Sequence, residues 1–164
     1  VWLPPIAEWF LYLNFTSRRY SLRNKRFGSF WRTYITDLVQ KRDEHKLDRI
    51  FAGSLINHPE PSILETLREA KPYLDDSFEG EAVLSVGKCG DYVRKGVSGL
   101  VNVMPFTCMP GTIVGAVMKR YREDHNDIPF LNMAYDGQEE TNTLTRLEAF
   151  MHQARQYQRQ MGKS

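Results

Sequence analysis

The second half of the chain most constrains the fold, because its apolar spacing switches between that of helices and that of strands. Apolar residues at helical spacing predict a helix from about residue 79 to Gly96. The uncharged runs 99–106 and 128–135 predict strands, and apolar stripes after each run predict two further helices. This order of elements indicates βαβ crossovers and a parallel sheet.

The first half of the chain has a helical pattern. Residues 1–3 resemble the end of a strand, and Pro4-Pro5 then introduces a helix whose apolar residues predict that it is mostly buried. Gly28 and Ser29 form a break, after which apolar spacing predicts a helix from 29 to roughly 52.

A short third helix is predicted after a loop at residues 57–61. Ser62 and Glu65 have the spacing of a capping box, and Pro72 should end the helix near Lys71. We therefore expect an α/β fold, a layered Rossmann-like domain with a small parallel sheet and many flanking helices. With 164 residues, the chain fits one such domain, 1–164.

Composition bears on the cellular compartment of the protein and on whether it spans a membrane. Two cysteines do not form a disulfide framework, and no apolar run approaches the length that a membrane helix needs. We expect a cytoplasmic protein with free thiols and no membrane partner. The chain starts at Val1 without an initiator Met, and we expect a C-terminal fragment of a longer multidomain chain.

Cys108 occupies a chemically apt position, at the joint between a predicted strand and a predicted helix. Ligands of open α/β sheets bind beyond the carboxyl ends of the strands, and a helix N-terminus favours the thiolate form of a nearby cysteine. Gly111 would let a ligand approach the backbone. Met109, Thr112, Asp136 and Gly137 should face the same space. The alternative is that Cys108 is simply a small residue packed in a turn.

The other candidate features are weaker. Cys89 lies on an apolar helical stripe and is predicted to be buried and inert. Residues 17–32 contain six basic and no acidic residues with aromatic residues between them, a pattern that suits nucleic acid or the phosphates of CoA. A solvated basic helix face explains the same pattern, and we favour it over nucleic acid. Glycine-rich phosphate loops and C-x-x-C or H-E-x-x-H metal motifs are not found in the sequence.

Two segments of the sequence resemble a known family. "GLVNVMPFTCMPGTIVGAVMKRY" and "IPFLNMAYDGQEETNTLTRLEAFMHQA" are similar to the C-terminal dehydratase-like region of the large CoA-substrate-specific enzyme activases. That region is itself related to the subunits of 2-hydroxyacyl-CoA dehydratases. The likeness is densest over 96–154, and "VWLPPIAEWFLYLNF" extends it to the start of the chain.

The resemblance implies a role in anaerobic metabolism. In the related dehydratases, each subunit holds a four-iron, four-sulfur cluster with cysteines from different α/β domains, and a separate ATPase activator injects one electron at low potential. Cys108 falls on a cluster-ligating position. The remaining motif positions are occupied by Pro105, Pro110, Gly111, Asp136, Arg146 and Phe150. The implied partners are upstream ATPase and dehydratase-like domains of the same parent chain, and acyl-CoA. ATP would act only through those upstream modules.

The sequence departs from the family in its ligand set. The other cluster cysteines are absent, and Cys89 matches no ligand position. Two copies of the chain or external thiols would have to supply the missing ligands, which leaves a homodimer open. A third hypothesis makes Cys108 a catalytic nucleophile, but no histidine is placed as its base. We expect no catalysis from this chain alone.

Overall fold

The computed structural model describes residues 1–24, 27–51, 60–78, 80–137 and 142–162. The chain divides into two compact units, Val1–Thr66 and Leu67–Ser164. The helices are α1 (Ile6–Arg23), α2 (Phe27–Phe51), α3 (Ile63–Ala70), α4 (Glu81–Arg94), α5 (Met109–Asp124) and α6 (Thr143–Met161). The strands are β1 (Leu100–Pro105) and β2 (Phe130–Tyr135). None of the described helices is long and apolar enough to cross a bilayer.

The first unit is built on a hairpin of α1 and α2. The side-chain amide of Asn14 on α1 donates to the Gln40 side chain on α2. Glu8 and Tyr12 are buried on a different part of α1, and Glu8 Oε1 accepts a hydrogen bond of 3.3 Å from Thr66 Oγ1.

Three sequence predictions fail in this hairpin. Residues 1–5 have no strand structure. The break between the two helices precedes Gly28, which lies within α2. The prediction that α1 is mostly buried is also wrong, because six of its large apolar side chains remain well exposed. These residues are Ile6, Trp9, Phe10, Leu13, Tyr20 and Leu22.

The capping box at the start of α3 forms as predicted. The Ser62 amide donates to Glu65 Oε2 at 2.7 Å, and the Glu65 amide donates to Ser62 Oγ at 3.4 Å. These bonds satisfy donors that the first turn of a helix leaves unpaired. The predicted loop at 57–61 lies mostly outside the described residues.

The second unit confirms the α/β prediction. Strands β1 and β2 pair in parallel, with Leu100 opposite Phe130 and Pro105 opposite Tyr135, and α5 connects them. Helix α5 covers the face of the sheet that carries the even-numbered residues of both strands, and Phe150 of α6 approaches Gly99 on the other face. The architecture is thus a small sheet between helices. That one domain spans the whole chain stays a prediction.

Helices α4 and α5 form a packed layer in this unit, in which Val83 and Val86 of α4 and Met118 of α5 have no exposed surface. Met133 of β2 is 1% exposed and lies on the face of the sheet opposite α5. Burying large aliphatic side chains is the main favourable contribution to folding, so these residues stabilise the unit.

Candidate functional site

The joint between β1 and α5 fixes the backbone of Cys108 on both sides. The Cys108 amide donates to Pro105 O at 3.1 Å, and Thr112 Oγ1 donates to Cys108 O at 2.8 Å. Thr107, between them, has a φ of 63°, in the left-handed region that non-glycine residues rarely adopt. Cys108 is the N-cap residue of α5.

Cys108 is only partly covered at this joint. The residue is half-buried, its neighbours Phe106 and Met109 are 62% and 70% exposed, and its side chain makes no capping hydrogen bond. A cysteine sealed in the core would have contradicted a role as metal ligand. The position therefore stays compatible with a ligand that comes from outside this unit.

The first turn of α5 has few backbone amides free to bind a ligand. Pro110 has no amide proton, and the Thr112 amide donates to Cys108 O at 3.0 Å. Only the amides of Met109 and Gly111 can therefore contribute to an anion site at this helix terminus.

Gly111 is explained by packing. A Cβ atom built at this residue would lie 2.4 Å from Met104 Sδ and 2.7 Å from Met104 Cβ. Only glycine therefore lets the first turn of α5 lie this close to β1. The residue is buried under this contact, and its proposed approach to a ligand stays a prediction.

Asp136 and Gly137 begin the second loop at the same edge of the sheet. Pro105 pairs with Tyr135, and the Phe106 amide donates to Tyr135 O at 2.7 Å. Both loops therefore start at the carboxyl ends of adjacent strands. Asp136 is exposed, and Gly137 has a φ of 87°, which glycine adopts without strain.

An asparagine pair behind this edge was not predicted. Asn102 and Asn132 face each other in the register, and Asn102 Nδ2 donates to Asn132 Oδ1 at 2.6 Å and to Gly111 O at 3.0 Å. The pair links both strands to the first turn of α5. The sequence signal was an asparagine in the middle of each apolar strand.

Arg146 of α6 contacts the outer edge of β2. Its Nη2 donates to the backbone carbonyl of Asn132. The amides of Leu100 and Phe106 donate to the carbonyls of Pro129 and Tyr135. The odd-numbered carbonyls of β2 therefore point toward β1, and the Asn132 carbonyl points away from it. The family motif contained Arg146, and here the side chain satisfies an edge carbonyl of the sheet.

Cys89 has a different environment from Cys108. It lies on α4, where burial raises the pKa of its thiol to about 12. Its charge would also oppose ionisation of Tyr121, whose pKa is raised mainly by burial. Some Cys89 surface remains accessible, but the thiol stays protonated near neutral pH, which agrees with the predicted inert cysteine.

The described residues do not complete a metal site. No group of three or more His, Cys, Asp or Glu side chains is placed to hold an ion within the described ranges. His125 is half-buried, and its ring stacks on the ring of Tyr121 with the centroids 4.1 Å apart. Cys108 fits one thiolate ligand of an iron–sulfur cluster, and the other ligands would have to come from elsewhere.

The basic stretch 17–32 is divided between two helices. Arg18, Arg19 and Arg23 lie in the last turns of α1, whereas Lys25 and Arg26 fall outside the described residues. Phosphate binding by this stretch stays a prediction.

Comparisons with family models, curated proteins and solved structures find no match to this chain.

Proposed function

We propose that this chain is a dehydratase-like domain that contributes Cys108 as one ligand of an iron–sulfur cluster. In this function, the cluster would take part in ATP-driven, low-potential electron transfer toward an acyl-CoA dehydratase. The observation that supports the proposal best is the half-buried Cys108 at the carboxyl edge of a parallel sheet, where ligands of such sheets bind.

The roles in this proposal follow from positions at the joint. Cys108 would supply a thiolate, and the amides of Met109 and Gly111 would stabilise its negative charge. The cluster, when bound, would supply one-electron transfer at low potential. Gly111 and the Asn102–Asn132 pair would hold the first turn of α5 against the sheet, so that the thiol keeps a fixed direction.

The ligand set requires a partner. A four-iron cluster needs more thiolates than Cys108 alone, and the elevated pKa of Cys89 makes it a poor second ligand. We propose that the remaining ligands come from other dehydratase-like domains of a parent chain or from a second copy. Upstream ATPase modules and acyl-CoA are the further partners in this proposal.

Anaerobic reconstitution with iron, sulfide and a small external thiol tests the proposal. Wild type would be compared with Cys108→Ser, and Cys89→Ser is the matched control with the same chemical change at the other cysteine. We expect visible thiolate-to-iron absorbance and an EPR signal after reduction in wild type and Cys89→Ser, and their loss in Cys108→Ser. If all three proteins stay colourless, or bind iron equally, Cys108 is a structural residue and the proposal fails.

The nucleophile hypothesis has its own test, which is rapid labelling of Cys108 by a mild electrophile at neutral pH. No histidine side chain is hydrogen-bonded to Cys108 among the bonds of the described residues, so general-base activation has no support there.

A further inference from the structure

Strand β1 leaves one edge of the sheet open. The Leu100 amide donates to Pro129 O, so the even-numbered residues of β1 bond to β2 and the odd-numbered residues direct their amides and carbonyls away from it. Among the described residues the sheet has no third strand, and no hydrogen bond between them reaches the outward backbone groups of Val101 and Val103. Each of these valines therefore leaves a donor and an acceptor free. We call these groups and the two valine side chains the β1 edge.

The side chains of the β1 edge are apolar and exposed. Val101 is 41% exposed and Val103 is 64% exposed. Both lie on the face of the sheet opposite α5, where α6 packs mainly along β2. Parallel sheets normally have both faces covered, so the β1 half of this face is unusual. A strand with unpaired backbone groups is also a template for pairing with another chain.

The β1 edge lacks the features that protect most edge strands from pairing. Natural edges are protected by charged side chains, by bulges or by proline. Residues 96–118 contain no charged residue, and β1 and β2 pair in an unbroken register. Pro105 lacks an outward donor at the end of β1, but the amides of Val101 and Val103 remain. A two-stranded sheet is also smaller than most sheets, and a third strand would extend it to a more stable size.

We propose that the β1 edge binds an extended peptide segment of a partner protein, which adds to the sheet as a third strand. The backbone of this segment would pair with the outward groups of Val101 and Val103, and its uncharged, apolar side chains would cover the two valines. This interaction goes beyond the iron–sulfur proposal, because it needs neither a cluster nor Cys108.

The chemistry of the β1 edge disfavours two other classes of occupant. A bilayer would leave the free amides and carbonyls unsatisfied, because its hydrocarbon region offers no hydrogen-bond partners. Nucleic acid requires basic residues for its phosphates, and residues 96–118 contain none. An extended peptide satisfies both the backbone groups and the valine side chains.

A displayed library of random peptides tests the proposal. The peptides would be about six residues long, the usual length of a strand. The immobilised full chain would select binders, and the affinity of one synthesised binder would be measured by fluorescence anisotropy. We expect the selection to enrich uncharged peptides with apolar residues at alternate positions, because alternate side chains of a strand share one face.

Two variants of Val103 test where the selected peptide binds. Val103→Lys keeps the backbone but adds a charge of the kind that protects natural edges, and we expect about a tenfold loss of affinity. Val103→Pro removes one outward amide, which edge strands tolerate, and we expect about a fivefold loss from one missing ladder bond. The matched control is Leu144→Lys on α6, which is 69% exposed and should bind the peptide as wild type does. Circular dichroism checks that each variant folds.

Backbone methylation of the selected peptide tests strand pairing directly. Successive amides of a strand point to opposite sides, so one alternate set would face β1 and the other would face away from it. We expect methylation of one set to abolish binding and methylation of the other set to preserve it. Equal binding by the two methylated peptides would contradict the proposal.

The proposal is also overturned if no peptide is enriched, if the enriched peptides are charged, or if neither Val103 variant weakens binding. Sedimentation of the wild type alone detects a second copy at the edge. A dimer that Val103→Lys abolishes, with no peptide selected, would replace the peptide by a second copy as the occupant. The iron–sulfur proposal is tested separately, because these variants leave Cys108 unchanged and the binding assay contains no iron.

Discussion

The two cysteines of this chain lie in regions that give their thiols different environments. Cys89 is on α4 in the packed layer, where burial raises the pKa of its thiol to about 12. Cys108 is half-buried at the N-terminus of α5, at an open sheet edge. The surroundings of a thiol set its pKa and its reactivity. Of the two cysteines, only Cys108 lies where a ligand could approach it.

The packed layer of α4 and α5 should be much more sensitive to truncation than the exposed surface of α6. Met118 has no exposed surface, so Met118→Ala should lower the free energy of unfolding by about 2–5 kcal/mol through lost burial and a cavity. Urea denaturation measures this change. The matched control is Met151→Ala on α6, which is 47% exposed and should change stability by no more than about 0.5 kcal/mol. Equal losses in both variants would contradict the described core.

Gly111→Ala tests whether the joint around Cys108 depends on close packing of α5 against β1. Gly111→Ala would place a methyl group against Met104, and we expect a loss of about 1–3 kcal/mol despite the better helix propensity of alanine. Thermal or urea unfolding would show the loss. Gly115→Ala is the milder control, because its nearest contact, Asn132 Nδ2, would be 3.2 Å away. A stable Gly111→Ala variant would mean that Met104 moves aside freely.

The pH dependence of stability sharpens the contrast between the cysteines. The Cys89 thiol ionises near its ordinary pKa of 9.0 in the unfolded chain but near 12 in the folded chain. The unfolded state therefore loses its proton first, so the contribution is fully present below pH 9 and falls as pH rises toward 12. At about pH 10 the loss should be on the order of 1 kcal/mol.

Cys89→Ser removes this titration, so its stability should fall less steeply than that of wild type between about pH 9 and pH 10. Chemical unfolding at several pH values measures the two slopes. Burial raises the pKa of Tyr121 in both proteins, and loss of the Cys89 charge removes a further cause of that rise in the variant, which makes the decline of the variant shallower still. Parallel slopes would show that the Cys89 thiol titrates alike in both states.

Substitution at the open joint should have the smallest effect on stability. Cys108→Ser changes one atom of a half-buried side chain that makes no capping bond, and we expect a change within about 0.5 kcal/mol. Unfolding of the metal-free protein measures it. A loss of more than about 2 kcal/mol would show that Cys108 is a packing residue, as the alternative interpretation holds.

Local sequence patterns determined most of the secondary structure. Helix spacing, the strand runs and the capping box at Ser62 each depend on residues within a few positions, and each predicted element from α3 to α6 forms close to its expected bounds. The break near Gly28 was misplaced because glycine also occurs inside the first turn of a helix, and the connection precedes it.

The sequence also placed Cys108 at a sheet edge, because the carboxyl ends of parallel strands are set by chain direction alone. Only the tertiary structure paired Asn102 with Asn132, pressed Gly111 against Met104 and brought Arg146 to the edge of β2, since strand register and helix packing are long-range. It also left Ile6 and Phe10 of α1 exposed. Periodicity shows that a helix has an apolar side, but what covers that side depends on the contacts of the whole fold.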